Sequence, residues 1–318
     1  MTTKLGVVMD PIQSIIFKKD STLAMLLEAQ SRGFELYYMT QSDLYLSQGD
    51  AWGSATPLTV FNDSQCWFEL GETRRINLSE LDVILMRKDP PFDMEYIYST
   101  YLLEMAEKQG VLVINKPQSL RDANEKLFTS WFPQCCPESL VTRDRQLLRE
   151  FIRKYDAVIF KPLNGMGGKS VFKLNRQDPN MNVIIENLTE NGTCYMMAQR
   201  FIPEIDKGDK RVLLIDGEPI AYALARIPPE GDIRGNLAIG AKGVGVELTD
   251  RDYWICAQVG PMLKAKGLIF VGLDIIGDYL TEMNVTSPTC IREIDAAFGL
   301  NISAKLLDCI QRKLIRKQ

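Results

Sequence analysis

The sequence contains no histidine. That absence excludes a Ser-His-Asp triad, an HExxH zinc site and a Cys-His nucleophile pair. Cysteine is sparse: there are seven, none in a CxxC spacing, with Cys135 and Cys136 adjacent. An odd count without pairing motifs fits a reduced cytoplasmic protein better than a disulfide scaffold. Scattered free cysteines are most often small buried hydrophobes. Long apolar runs are also missing. The best, GLIFVGLDIIG (267–277), is interrupted by Asp274 and falls short of the roughly 20 residues a membrane span needs. The start, MTTKLGVVMDP, has too short an apolar stretch for a signal peptide. Basic charge is not in excess, with 37 Lys and Arg against 41 Asp and Glu and a net charge of −4. This argues against a nucleic-acid partner, and no membrane partner is expected, although net charge leaves a local basic cleft open.

What remains is lysine, arginine, carboxylates, backbone amides and hard metal ions. Phosphate chemistry with a divalent ion needs only those parts. The 318 residues suggest about two domains, and 46% hydrophobic content supplies a large core.

Along the chain, KLGVVM (4–9), ELYYM (35–39), DVILM (82–86) and VLVIN (111–115) read as strands. Helices are expected from about Ser21, as N-cap, to Gly33, and over about 94–108. Strand–helix alternation predicts a parallel α/β sheet in the first 115 or so residues. The stretch 48–75 is polar and without clear periodicity. After the linker NKPQS (115–119), helices are expected over about 119–132 and 144–154, then the strand DAVIFKP (156–162). RVLLI-DG-EPIAYALAR (211–226) carries a hairpin signal, with Asp216-Gly217 as a type I′ turn. The Gly-rich stretch 227–245 reads as a mobile loop. A helix over about 250–266, a second hairpin over 267–285 and a final helix over about 302–316 complete the pattern. The fold class is α/β followed by α+β.

Four constellations carry chemistry. KPLNGMGGKS (161–170) follows a strand, and its glycines let backbone N–H groups approach an anion. It is neither the dinucleotide fingerprint nor a Walker A loop, because strand-like VFKL follows instead of a helix. A Gly-rich hairpin turn with a solvated lysine gives the same pattern. Glu282 and Asn284 are two apart, so both face one side of a strand. Asp274 joins them only if a three-residue loop, or an equivalent bulge, pairs it with Glu282; a two-residue Gly277-Asp278 turn would turn it away. Such oxygen donors suit Mg²⁺, and a polar sheet edge facing water is the alternative. Lys126, Arg211, Arg226, Arg234 and Arg292 form a scattered basic set, in which Arg226 stands out by ending an apolar strand beside the Gly-rich loop. AQRFIP (198–203) leaves a strand in extended form and can offer backbone groups to a planar base, or is an ordinary strand exit.

Taken together, KLGVVMDP (4–11), DVILMRKDPPFD (82–93), NKPQSLRDANEKLFTSWF (115–132), KPLNGMGG (161–168), GDKRVLLIDGEP (208–219), RGNLA (234–238) and LDIIGD…LTEMNVTSPTCIREI (273–294) make the chain resemble the bacterial glutathione synthetases over almost its whole length. The resemblance implies an ATP-grasp fold with an N-terminal parallel-sheet α/β domain. Its units would be an N-terminal substrate domain (1–120), a central subdomain (121–200) and a C-terminal subdomain (201–318) with the metal site and a lid loop at 227–243. It implies an enzyme that ligates γ-glutamylcysteine and glycine through an acyl phosphate, with ATP as co-substrate and Mg²⁺ or Mn²⁺ as cofactor, as a homotetramer. Another carboxylate–amine ligase of the same fold and a non-catalytic nucleotide-binding scaffold are the competing readings.

By the same resemblance, Lys126 and Lys161 contact the ATP phosphates, and Gly165, Met166, Gly167 and Gly168 cover them. Gln199, Arg200, Phe201 and Ile202 read adenine, and Asp209 holds the ribose. Arg211 and Asn236 complete the ATP set. Asp274, Glu282 and Asn284 bind the metal. Arg226 and Arg234 neutralise the acyl phosphate and its transition state. Ser287, Thr289 and Arg292 lie near the substrate carboxylates, joined from the N-terminal side by Arg87 and Asp89. Two loops depart from the family pattern: Asn164 stands where Asp usually opens the glycine loop, and Ile239 and Ala241 stand where the lid usually has small residues or glycine.

Overall fold

The computed structural model describes residues 2–316. The first sheet is built from β1 (Lys4–Met9), β2 (Glu35–Met39), β3 (Leu44–Ser47), β4 (Asp50–Val60), β5 (Phe68–Leu70), β6 (Arg74–Asn77), β7 (Val83–Arg87) and β8 (Leu112–Ile114). Its spine runs β3-β4-β2-β1-β7-β8, with β5 and β6 paired to β4. The apolar runs form the expected parallel part, β2-β1-β7-β8. Helices α1 (Ser21–Ser31) and α2 (Met94–Lys108) make its crossovers. The polar stretch 48–75 is also strand. β4 pairs antiparallel with β2, β3, β5 and β6, and its alternate burial had no clear signature in the sequence.

Two helix boundaries differ from expectation. The cap of α1 is Asp20, whose carboxylate accepts from Leu23 N at 2.5 Å, and Ser21 is already helical. The expected helix over 119–132 is broken into α3 (Pro117–Asp122) and a 3-10 turn over Leu127–Trp131. Asn124 divides them by accepting from the N–H groups of Lys126 and Leu127, a local bond that competes with the helix ladder.

The second sheet comprises β9 (Ser139–Thr142), β10 (Ala157–Pro162), β11 (Phe172–Asn175) and β12 (Met196–Arg200), in the order β11-β10-β12-β9 and antiparallel throughout. Helices α4 (Arg145–Lys154) and α5 (Met181–Leu188) cover it. The third sheet comprises β13 (Asp209–Ile215), β14 (Glu218–Ile227), β15 (Lys242–Glu247), β16 (Phe270–Ile276) and β17 (Tyr279–Asn284), ordered β15-β14-β13-β16-β17. It carries α6 (Asp250–Ala265), α7 (Ile291–Phe298) and α8 (Ile302–Ile315). β15 pairs with β14, so the last part of the expected loop, 242–245, is strand. Asp216 and Gly217 both have positive φ, as a type I′ turn requires.

Hydrophobic packing divides the chain unevenly. One core joins Val8, Ile84 and Met86 of the first sheet to Val271, Leu273 and Met283 of the third. A second joins Leu5, Val7 and Leu85 to Leu213, Ile215 and Phe270. The second sheet has a separate core of Leu148, Ile152, Val158, Phe160, Leu174, Ile185, Leu188, Met196 and Ala198. Residues 139–200 therefore form a lobe on a body made of the other two sheets. No helix among the described residues is long and apolar enough to cross a membrane.

Candidate active site

A cleft of about 330 Å³ opens between the lobe and the body. From the lobe come Lys161, Gly165, Met166, Gly167, Gly168, Gln199, Arg200, Phe201 and Ile202. From the body come Asp89, Lys126, Asp209, Arg211, Arg226, Arg234, Asn236, Asp274, Glu282, Asn284, Ser287 and Thr289. These residues are distant in sequence, and the fold brings them to one place. Arg87 and Arg292 do not line the cleft. Arg87 is buried, donating from Nε to Thr22 Oγ1 at 3.0 Å and from Nη2 to Pro288 O at 2.9 Å. Arg292 donates from Nε to Asp20 O at 3.1 Å and covers the Phe17 ring. Arg87 ties the 286–292 segment to β7, and Arg292 ties it to the cap of α1.

The β16–β17 hairpin reaches its register by a bulge. Its turn is the two-residue Gly277-Asp278, since Ile276 pairs with Tyr279 and Ile275 with Leu280. The register then shifts so that Asp274 faces Glu282 and Gly272 faces Asn284. One extra residue, Thr281, restores the face that the short turn would have lost.

Beneath the hairpin lies a buried network of two arginines and two aspartates. Arg211 grips Asp274 with two bonds, Nε to Oδ1 at 2.6 Å and Nη2 to Oδ2 at 3.0 Å. Arg226 Nη2 lies 2.5 Å from Asp209 Oδ2 and 2.9 Å from Asp274 Oδ2. Burial alone would raise Asp274, but Arg211 and Arg226 hold its carboxyl far below the usual range. Burial pushes Asp209 up to about 6 against the pull of Arg226, with the charge of Asp274 adding to the rise. Burial lowers Arg226, and Asp209 and Asp274 more than reverse it, so this arginine stays charged.

Asp274 accepts two guanidinium hydrogen bonds from Arg211 and lies in ion-pair contact with Arg226, so its carboxylate is largely engaged. Among the described residues no group of three or more Asp, Glu, Cys or His converges on one point. Glu282 and Asn284 remain as an oxygen pair on one face. Asn284 Nδ2 donates to Gly272 O at 3.2 Å, which orients its amide. Such a sparse, hard donor set fits Mg²⁺, an ion that takes one or two protein oxygens and completes its shell with phosphates and water.

The lysines differ. Lys126 Nζ donates to Glu282 Oε1 at 3.0 Å and to Gly165 O. Burial opposes its charge, but Glu282 raises its pKa. Among the described residues Lys161 Nζ bonds only the carbonyl of Thr281, at 3.2 Å, and is buried rather than solvated. Burial lowers it to about 8, opposed by Glu282 and helped by the nearby charge of Lys126.

The glycine loop and the 228–241 loop touch. A Cβ at Gly168, whose φ is +75°, would meet Asn236 Oδ1 at 2.6 Å, and Arg234 Nη1 lies 3.4 Å from Gly168 O. Arg234 is held by Asp232, whose carboxyl that bond lowers to about 2. The residues of positive φ in this loop are Gly231 and Gly240, so alanine at 241 is not strained. In the strand-exit segment, the N–H groups of Arg200 and Phe201 are taken by Glu138 O and Ala157 O. That confines any reading of a base by backbone N–H to Ile202.

Sequence reasoning missed Glu125. Its Oε1 accepts from Val285 N, Thr286 N and Thr286 Oγ1 at 2.9, 3.0 and 2.8 Å. No local pattern could reveal partners about 160 residues away.

An antiparallel lobe closing over an antiparallel sheet, with phosphate-seeking groups on both walls, defines an ATP-grasp ligase. Solved structures agree on this fold: a D-cycloserine synthetase matches with a TM-score of 0.69 at 13% identity, over 98% of this chain and 99% of that one. A D-alanyl-alanine synthetase from Vibrio cholerae matches with a TM-score of 0.61 at 11% identity, over 99% of both chains. Family models for the prokaryotic glutathione synthetase N-terminal domain and ATP-grasp domain match residues 3–121 and 125–299, and the chain belongs to the prokaryotic glutathione synthetase family. It is 62% identical to a glutathione synthetase of Pseudomonas putida over 99% of both chains. A glutathione synthetase of Coxiella burnetii is 58% identical over 98% of both.

Proposed function

We propose that the cleft joins γ-glutamylcysteine to glycine, forming glutathione and converting ATP to ADP and phosphate. The observation that carries this reading is the convergence of Lys126, Lys161 and Arg226, from separate parts of the chain, beside Glu282 and Asn284. A carboxylate oxygen of the cysteinyl residue attacks the γ-phosphorus, the bond to the ADP oxygen breaks, and an acyl phosphate forms. The glycine nitrogen, having lost a proton, attacks the acyl carbon, and phosphate leaves.

Each wall has its task. Lys126, Lys161 and the backbone of Gly165–Gly168 hold the phosphates, Ile202 and its neighbours face adenine, and Asp209 faces the ribose. Glu282 and Asn284 would hold Mg²⁺ or Mn²⁺, with Asp274 beside them as a further oxygen donor; the ion would offset phosphate charge. Arg226 and Arg234 stabilise charge on the transferring group, where fixed cations act most strongly. The 228–241 loop excludes water, which would hydrolyse the acyl phosphate. Ser287, Thr289 and Asp89 contact the substrates, while Arg87 and Arg292 hold up the segment that carries the first two. The units 1–120, 121–200 and 201–318, a cytoplasmic location and a homotetrameric state complete the reading; sedimentation tests the last.

Phosphate release is the test, measured with ATP, Mg²⁺ and γ-glutamylcysteine, with and without glycine. The reading expects release that needs both substrates and yields glutathione in equal amount. Release indifferent to glycine points to another ligase or to uncoupled hydrolysis, and rejects it.

A further inference from the structure

β17, which carries Glu282 and Asn284, is the edge strand of its sheet. An edge strand leaves every second N–H without a strand partner. Here residue 125 takes that place. Its carbonyl accepts from Met283 N at 2.8 Å. Its side-chain Oε1 accepts from Val285 N, Thr286 N and Thr286 Oγ1. These donors bracket Asn284 on both sides. The next residue, Lys126, bonds Glu282 Oε1. Two adjacent residues thus fix the chain at 282, 283, 285 and 286. Burial, with the charge of Glu282 adding to it, raises Glu125, so this carboxyl is held there at a cost that hydrogen bonding must offset.

We infer that Glu125 is a positioning residue for the divalent-ion site: it sets the exit of β17 so that the Glu282 and Asn284 oxygens face one point beside Lys126. The inference rests on the proposed metal role of those two residues. Three donors to one carboxylate oxygen leave the strand exit little freedom, and metal donors act only when oriented by the groups behind them. Loss of the clamp lets Asn284 turn, and the ion then loses one of its fixed oxygens.

The test follows the thermal midpoint of the protein with ADP alone, with ADP and Mg²⁺, and in EDTA. Wild type is expected to show a further rise when Mg²⁺ joins ADP. In Glu125→Ala the ADP rise stays and the Mg²⁺ increment needs about tenfold more metal, the lower end for lost outer-shell partners. Glu125→Gln keeps an acceptor oxygen for the same donors and should behave close to wild type. A role confined to stability would lower all midpoints and leave the metal requirement unchanged, which would overturn the inference. So would a glutamine variant as impaired as alanine. Should the alanine variant not fold, Thr286→Val removes one donor, and an unchanged metal requirement there counts against the clamp. A wild type with no Mg²⁺ increment rejects the metal reading itself; an increment lost in Glu282→Gln but untouched in Glu125→Ala rejects only the clamp.

Discussion

The two walls of the cleft are packed differently. The body wall belongs to sheets that share two large cores, and its polar groups form a buried, charge-balanced network of Arg211, Arg226, Asp209 and Asp274. The lobe wall rests on a small core of its own and offers glycines, one buried lysine and backbone. Energetically the body fixes charges whose removal is costly, while the lobe is a separately packed unit that can open locally. An enzyme that must admit ATP and then exclude water needs this division of labour.

The comparison is broken most severely at Arg226. Arg226→Ala leaves Asp209 and Asp274 buried with one cation fewer. Turnover should fall about 100-fold or more, with kcat lowered more than KM for ATP is raised. Stability should fall by about 3–5 kcal/mol, as for other severed buried pairs. Steady-state kinetics and denaturant unfolding check both; an effect on KM alone would assign Arg226 to ground-state binding.

A second substitution separates the walls. Leu148→Ala, in the lobe core, should cost about 2–5 kcal/mol. Hydrogen exchange should then rise across β9–β12 while protection of β1, β7 and β13 is retained. Equal loss in both would mean that lobe and body unfold as one.

The smallest effect expected is on pH. Lys161 is lowered to about 8 by burial, so in the free enzyme it loses its proton, and its pull on phosphate, as pH rises through that value. kcat/KM for ATP should decline above pH 8, and Lys161→Arg should remove the decline, because arginine stays protonated. The stability effect has the opposite sign. Between about 8 and the unfolded value the unfolded chain binds more protons, so Lys161 makes folding more favourable as pH rises.

Much of the body was legible in the sequence because its signals are local. Apolar runs gave the parallel strands, Asp216-Gly217 gave its turn, and Glu282 and Asn284 shared a face through strand periodicity alone. Asp274 faces Glu282 as expected, through the bulge at Thr281 and not through a three-residue loop, and no composition marks which of the two occurs. The 119–132 helix was misjudged because one side chain, Asn124, caps the turn after it. Glu125 was invisible because its partners lie across the fold. Arg87 and Arg292 stand near the substrate by resemblance alone, and the hydrogen bonds they make run to Thr22, Pro288 and Asp20.

The central claim is that nucleotide is gripped by both walls at once. Hydrogen exchange with and without a non-hydrolysable ATP analogue and Mg²⁺ tests it most directly. Nucleotide held by both walls slows exchange in 161–168 and 199–202 on the lobe side, together with 226–236 and 272–284 on the body. Protection confined to one wall would contradict it.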